Sequence, residues 1–284
     1  MSHAAGSSGE ALDDELDLRI PPAPATPGAL ERALRERRAQ GRKLLVPYVT
    51  GGLGRDWTDA VAAVADAGAD AIEIGIPFSD PVMDGPVIQA ASERALAAGA
   101  TPVSILDELR GVDAGVPLAV MTYYNIAFRL GLTRFAASLL DAGVVAAILP
   151  DLPLEEVGPW ARVADAAGVE TVLLSAPTAP DERLVRVCER SRGFVYAVGL
   201  LGVTGERAAL ASSATLIARR LKQVTDKPVL VGVGVSNAEQ AVEICQVADG
   251  VVVGSALVRR LLDGEGPLGA GAFIGSLRAA LDGH

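Results

Sequence analysis

Histidine is nearly missing from this 284-residue chain: only His3 and His284 occur, one near each end. That excludes Ser-His-Asp triads, histidine proton relays and histidine-rich metal sites, and no metal site is expected. Lysine is scarce too. Lys43 and Lys227 precede apolar strand-like runs and Lys222 lies in a helical pattern. None stands where a Schiff-base lysine would be needed, at a strand C-terminus. The two cysteines, Cys188 and Cys245, form no CxxC and sit in helical patterns, which fits reduced, half-buried thiols in a cytoplasmic protein. Aromatics make up 4% and no Lys/Arg run offsets the net charge of −10, a poor basis for binding nucleic acid or anionic membrane. No apolar run reaches 18 residues, and the acidic N-terminus lacks a secretory pattern, so no membrane span or export signal is expected. Acid–base chemistry is left to Asp, Glu, Tyr or water.

What is present is a large apolar fraction, 50%, enough for one barrel-sized core. Residues 1–28 are rich in Ala, Ser, Gly, Pro and acid and read as a disordered N-terminal extension. The catalytic domain is expected over 29–284. Eight short, continuously apolar runs follow: Leu44–Val49, Ala71–Gly75, Leu118–Met121, Ala146–Leu149, Thr171–Leu174, Phe194–Val198, Val229–Val231 and Gly250–Val253. Such runs suit parallel strands covered on both faces. Helical patterns fill the gaps at 57–66, 86–98, 103–110, 134–141, 154–166, 181–189, 213–223 and 238–247. Glycines at Gly68, Gly143, Gly168 and Gly250 are expected to end helices in the left-handed position. The pattern predicts an α/β protein: a single-domain (β/α)8 TIM barrel with extra helices. An open doubly wound sheet is the alternative, but no GxGxxG follows the first strand.

In such a barrel the chemistry sits at strand C-terminal ends. The second strand carries Glu73 between isoleucines, followed by a Pro/Gly turn with Asp80 and Asp84. A carboxylate among apolar residues is costly. Unless an arginine from another layer pairs with it, Glu73 reads as an acid–base group with a raised pKa. Asp84 can stay ionised in its loop and accept an N–H or stabilise a cation, or merely form the turn before Gly85. Asp80 fits loop orientation, a partner contact or a turn cap. Tyr48 and Thr50 follow strand one. Tyr123 and Tyr196 could flank a flat apolar substrate, hold Glu73 or simply pack. Thr204 and Gly205 lie in a Gly-bounded loop suited to a lid. The glycine-rich turns at Gly232–Gly234 and Gly254–Ser255 read as a phosphate cradle, with the N–H groups of Gly234 and Ser255 and the helix opening at Ser255 facing an anion.

The run Ala69-Asp-Ala-Ile-Glu73-Ile-Gly-Ile-Pro-Phe-Ser-Asp80-Pro-Val-Met-Asp84-Gly-Pro86, with Gln89, resembles the signature of the tryptophan synthase alpha subunit family. Pro47–Gly52, Tyr124-Asn125, Pro150–Pro153 with Glu155-Glu156, Gly202–Gly205 and Gly254–Ala256 extend the resemblance from about Leu44 to Ala280. It implies retro-aldol cleavage of indole-3-glycerol phosphate to indole and glyceraldehyde 3-phosphate. The family's proton-transferring glutamate falls on Glu73 and its indole N–H acceptor on Asp84. The lid threonine falls on Thr204, a tyrosine near the reacting centre on Tyr196, and phosphate ligands on Gly205, Gly234 and Ser255. It also implies no cofactor on this chain and a beta-chain partner carrying pyridoxal phosphate, in an alpha2-beta2 heterotetramer. A stand-alone lyase releasing free indole is the alternative. Leu53-Gly54 replaces the family's usual Asp-Pro, Gly199 a serine, and Val233 an aromatic.

Overall fold

A computed structural model describes residues 18–199, 207–232 and 234–283. Eight parallel strands close into a barrel in sequence order: β1 (Leu44–Thr50), β2 (Ile72–Gly75), β3 (Leu118–Met121), β4 (Val144–Ile148), β5 (Glu170–Ser175), β6 (Val195–Val198), β7 (Val229–Gly232) and β8 (Gly250–Val253). The helices are α1 (Ala29–Ala39), α2 (Trp57–Asp66), α3 (Pro86–Ala97), α4 (Pro102–Leu109), α5 (Tyr124–Leu130), α6 (Leu132–Asp141), α7 (Gly158–Ala167), α8 (Asp181–Arg190), α9 (Arg207–Val224), α10 (Ala238–Cys245), α11 (Ser255–Leu262) and α12 (Gly266–Asp282). The expected barrel is therefore the observed one.

Side chains on a strand alternate between faces, which sorts the core into two layers. Leu45, Ile72, Ile74 and Val120 face the helices. Leu44, Val46, Ala71, Ala119, Val172 and Leu230 fill the barrel interior. From below, Leu30 and Leu34 of α1 join that inner cluster, so α1 plugs the N-terminal mouth. Glu170 fastens the plug: its buried carboxylate accepts from the N–H of Leu30 at 2.6 Å and of Glu31 at 3.1 Å. This places a negative charge at a helix N-terminus. On the same lower face Asp70 binds the N–H of Leu45 and the guanidinium groups of Arg42 and Arg278. Asp249 binds Lys222, Arg38 and the N–H of Val229.

Three of the four expected glycine caps hold, with positive φ at Gly68, Gly143 and Gly168. The fourth is corrected. Gly250 opens β8 rather than ending a helix, and a Cβ there would meet the Leu44 carbonyl oxygen at 2.3 Å. It is glycine so that β8 can approach β1. The helix expected over 154–166 splits into a short 3-10 turn, Leu154–Glu156, and α7, because Pro159 suits a first helical turn and not an interior.

The described part of the expected extension, residues 18–28, has no helix or strand yet is laid on the barrel. Ile20 packs against the core and Arg162 donates to the Arg19 carbonyl at 2.9 Å. Cys188 and Cys245 are free and buried rather than half-buried, with burial pushing each thiol up to about 11. Among the described residues no helix is long and apolar enough to cross a membrane. None of their His, Cys, Asp and Glu side chains forms a group of three suited to a metal.

Candidate active site

Alternation on β2 decides where Glu73 points. Ala71 faces the interior, Ile72 and Ile74 face the helices, so Glu73 faces inward at the upper, C-terminal end. It is 0% exposed, and neither carboxyl oxygen has a hydrogen-bond partner. Among the described residues no arginine pairs with it, as a purely structural role would require. Burial, and secondarily the charge of Asp84, push the Glu73 carboxyl up to about 8.

Asp84 stands just before α3, which has Gly85 as its extended N-cap and Pro86 as its first residue. A helix N-terminus favours the ionised form. Burial outweighs the hydrogen bond from the Tyr123 hydroxyl and leaves its carboxyl above the usual carboxylate range. The same hydroxyl accepts from the Met83 N–H at 2.9 Å, and Gln89 donates to the Asp84 carbonyl at 2.8 Å. The loop is thus tied on both sides of the carboxylate.

Tyr48, paired in register with Glu73, and Tyr196 of β6 are both buried and line the same cavity. Burial raises both phenols, so both stay neutral hydroxyls. Their rings need glycine opposite. A Cβ on Gly75 would lie 1.8 Å from the Tyr48 hydroxyl, and one on Gly232 would lie 2.3 Å from the Tyr196 ring.

The cavity has a volume of about 280 Å³. Glu73, Asp84 and Tyr48 form one side, and Gly232, Gly234, Gly254 and Ser255 form another. Gly234 has φ +45°. Gly254 precedes α11, whose first turn carries no acid and whose N-terminus has no side-chain cap. Its leading N–H groups are open to an anion. The remaining wall is apolar: Met121, Pro150, Leu174 and Val198.

A family profile described as "Tryptophan synthase alpha chain" matches residues 34–267. The alpha chain of Thermobifida fusca is 46% identical over 240 residues, 82% of this chain and 89% of that one. That of Streptomyces coelicolor is 45% identical, covering 82% and 88%. The tryptophan synthase of Mycobacterium tuberculosis superimposes with a TM-score of 0.83 at 39% identity, covering 90% of this chain and 99% of that one. The chain belongs to the tryptophan synthase alpha chain family.

Against that family membership the expected site residues fall into three groups. Glu73, Asp84, Tyr48, Tyr196, Gly234, Gly254 and Ser255 share one cavity. Tyr123 acts on it through Met83 and Asp84, while Thr50 is fully buried and does not line it. Asp80 is exposed, accepts from Ser79 Oγ at 2.5 Å and lies off the cavity wall. Thr204, Gly205 and Val233 lie outside the described residues. Of the departures from the family pattern, Leu53 packs with Tyr48, Ala91 and Val258, and Gly199 lines the cavity. Sequence reasoning missed the apolar wall and Gly75, and it read Gly232 as part of the phosphate turn rather than as room for the Tyr196 ring. For Met121 and Val198 a signal was available, since each ends a strand.

Proposed function

We propose that this tryptophan synthase alpha chain cleaves indole-3-glycerol phosphate to indole and glyceraldehyde 3-phosphate, with Glu73 and Asp84 as its catalytic pair. The observation that carries the reading is the Glu73 carboxyl, fully buried with both oxygens unpartnered, in one cavity with a glycine-lined anion end.

The reaction is a retro-aldol cleavage with no net water. Protonated at neutral pH, Glu73 delivers its proton to C3 of the indole, leaving positive charge on the ring nitrogen. Asp84 stabilises that charge through the N–H. The bond from C3 to the side chain then breaks, its electrons restoring the ring. The side-chain hydroxyl loses its proton to the Glu73 carboxylate and becomes the aldehyde. Proton count and charge balance, and Glu73 ends as it began. The two tasks call for one carboxyl group that carries a proton and one that is ionised. Gly234, Gly254 and Ser255, together with Gly205, hold the phosphate, whose binding orients a bond it does not touch. Tyr48 and Tyr196 flank the reacting centre, Thr50 supports that wall, and Thr204 belongs to the lid.

A beta chain is the expected partner, in an alpha2-beta2 assembly in the cytoplasm, with Asp80 on the loop that faces it. Pyridoxal phosphate is expected on that partner and not on this chain. The test is indole release from indole-3-glycerol phosphate by the wild type and by Glu73→Gln. A loss of at least about a hundredfold is expected, the lower range for deleting a general acid–base. A variant that keeps most of its rate removes Glu73 from the mechanism.

A further inference from the structure

Part of what holds Asp84 comes from the next loop round the barrel. The Tyr123 hydroxyl accepts from the Met83 N–H at 2.9 Å and donates to the Asp84 carboxylate. The Tyr123 ring also packs on Phe78 of the Asp84 loop, with ring centroids 5.0 Å apart. What holds Tyr123 comes from one loop further. Tyr123 is the N-cap of α5, but its side chain makes no cap hydrogen bond. The leading N–H groups of a helix then need acceptors from elsewhere. Asp151 supplies one: its Oδ1 accepts from the Tyr124 N–H at 2.8 Å. That is the length of a charge-assisted bond, and it sets a negative charge at a helix N-terminus. The residue it grips directly follows Tyr123.

Asp151 is exposed, yet its backbone is firmly placed. It sits in a turn closed by the Leu152 N–H on the Leu149 carbonyl at 3.1 Å and bracketed by Pro150 and Pro153, whose rings fix φ. Leu149, Leu152 and Leu154 root that turn in the core. A stiff turn after β4 therefore grips the start of α5, and the start of α5 grips the loop after β2. Asp151 itself does not line the catalytic cavity.

We propose that Asp151 is a positioning residue for the cleavage: it fixes Tyr123 and, through Tyr123, the Asp84 carboxylate. The inference rests on the function proposed above. A plain helix cap would stabilise α5 and leave the reaction alone, so the two roles differ in what a substitution does to turnover. The turns assigned to the phosphate follow β7 and β8, across the closed barrel from β3 and β4. Losing Asp151 should therefore spare substrate binding and slow the chemistry. The rate is steep in position: a shift of about 1 Å, caused by a substitution away from the reacting atoms, can cost about a hundredfold.

The test measures kcat and KM for indole release from indole-3-glycerol phosphate by the wild type, Asp151→Ala, Asp151→Asn, Tyr123→Phe and the double variant of Asp151→Ala with Tyr123→Phe. Asp151→Ala is expected to lower kcat at least about tenfold and to leave KM within about twofold. Asparagine keeps an acceptor oxygen in the same place, so Asp151→Asn is expected to retain most of kcat. Tyr123→Phe removes the hydroxyl through which Asp151 acts. It is expected to lower kcat itself, and Asp151→Ala should cost little more in that background. Should Asp151→Ala fail to fold, Asp151→Glu, whose carboxylate is displaced by one methylene, carries the test with the same split between kcat and KM. A folded Asp151→Ala with wild-type kcat overturns the proposal. So does a loss that Asp151→Asn shares in full, a Tyr123→Phe variant at wild-type kcat, or losses that add in the double variant. A wild type that releases no indole overturns the proposed function, and this inference with it.

Discussion

Glu73 stabilises catalysis at the expense of the fold, and the sign of that trade follows from its proton. An ordinary glutamate titrates at 4.5, and Glu73 at about 8. Below pH 4.5 folded and unfolded chains both carry the proton and no penalty arises. As pH rises from there to about 8, the unfolded chain releases its proton first and stability falls, by roughly 3–5 kcal/mol in total. Glu73→Gln is therefore expected to melt at a higher temperature than the wild type at pH 8. The difference should shrink at pH 5, and an unchanged gap across that range would refute the account. Activity has a matching signature: kcat/KM should decline above about pH 8 as the donor loses its proton, a limb absent from the residual rate of Glu73→Gln. Gly75→Ala tests the tyrosine wall. Its new Cβ has no room beside the Tyr48 hydroxyl, so indole release should drop at least about tenfold through misplacement of groups around Glu73. Glu73 and Asp84 were legible in the sequence because a carboxylate inside an isoleucine strand has few bland explanations. The room that Gly75 and Gly232 make for tyrosines was not, because a glycine's reason here is the side chain it makes room for, and that comes from another strand.

At the scale of elements, short apolar runs between glycines announced β1 to β8, since a strand buried on both faces has no alternation to hide it. The helix α5 escaped notice because Tyr124–Leu130 is short and its N-terminus is capped from outside, by Asp151 bonded to the Tyr124 N–H. The helix α1 was legible only as the start of the folded region. Its partner is Glu170, some 140 residues away, and no local pattern joins them. Glu170→Ala leaves the N–H groups of Leu30 and Glu31 buried without an acceptor. A destabilisation of about 2–3 kcal/mol is expected, the scale of hydrogen bonds to a charged group. Denaturant melts should show it, with indole release little changed while the chain stays folded. A large loss of activity at full folding would mean that the plug reaches the reacting groups.

For the whole molecule, the two barrel mouths divide the labour. Asp70, Asp249 and Glu170 serve the lower rim, and the groups around Glu73 serve the upper one. Substitutions below should move melting temperature, and substitutions above should move turnover. The assembly is tested by titrating a beta chain into the purified protein. Indole release is expected to rise from a low level, and full turnover in the isolated chain would argue for independent action. Closure itself has a cost in time. The seam runs between β1 and β8, where Leu44 donates to the Asp249 carbonyl and Gly250 lets the backbones meet. Some 200 residues separate its two sides, and a ribosome adds roughly 5–20 residues each second. The first strand made therefore waits on the order of ten to forty seconds for its last neighbour, with an unpaired edge open to wrong partners.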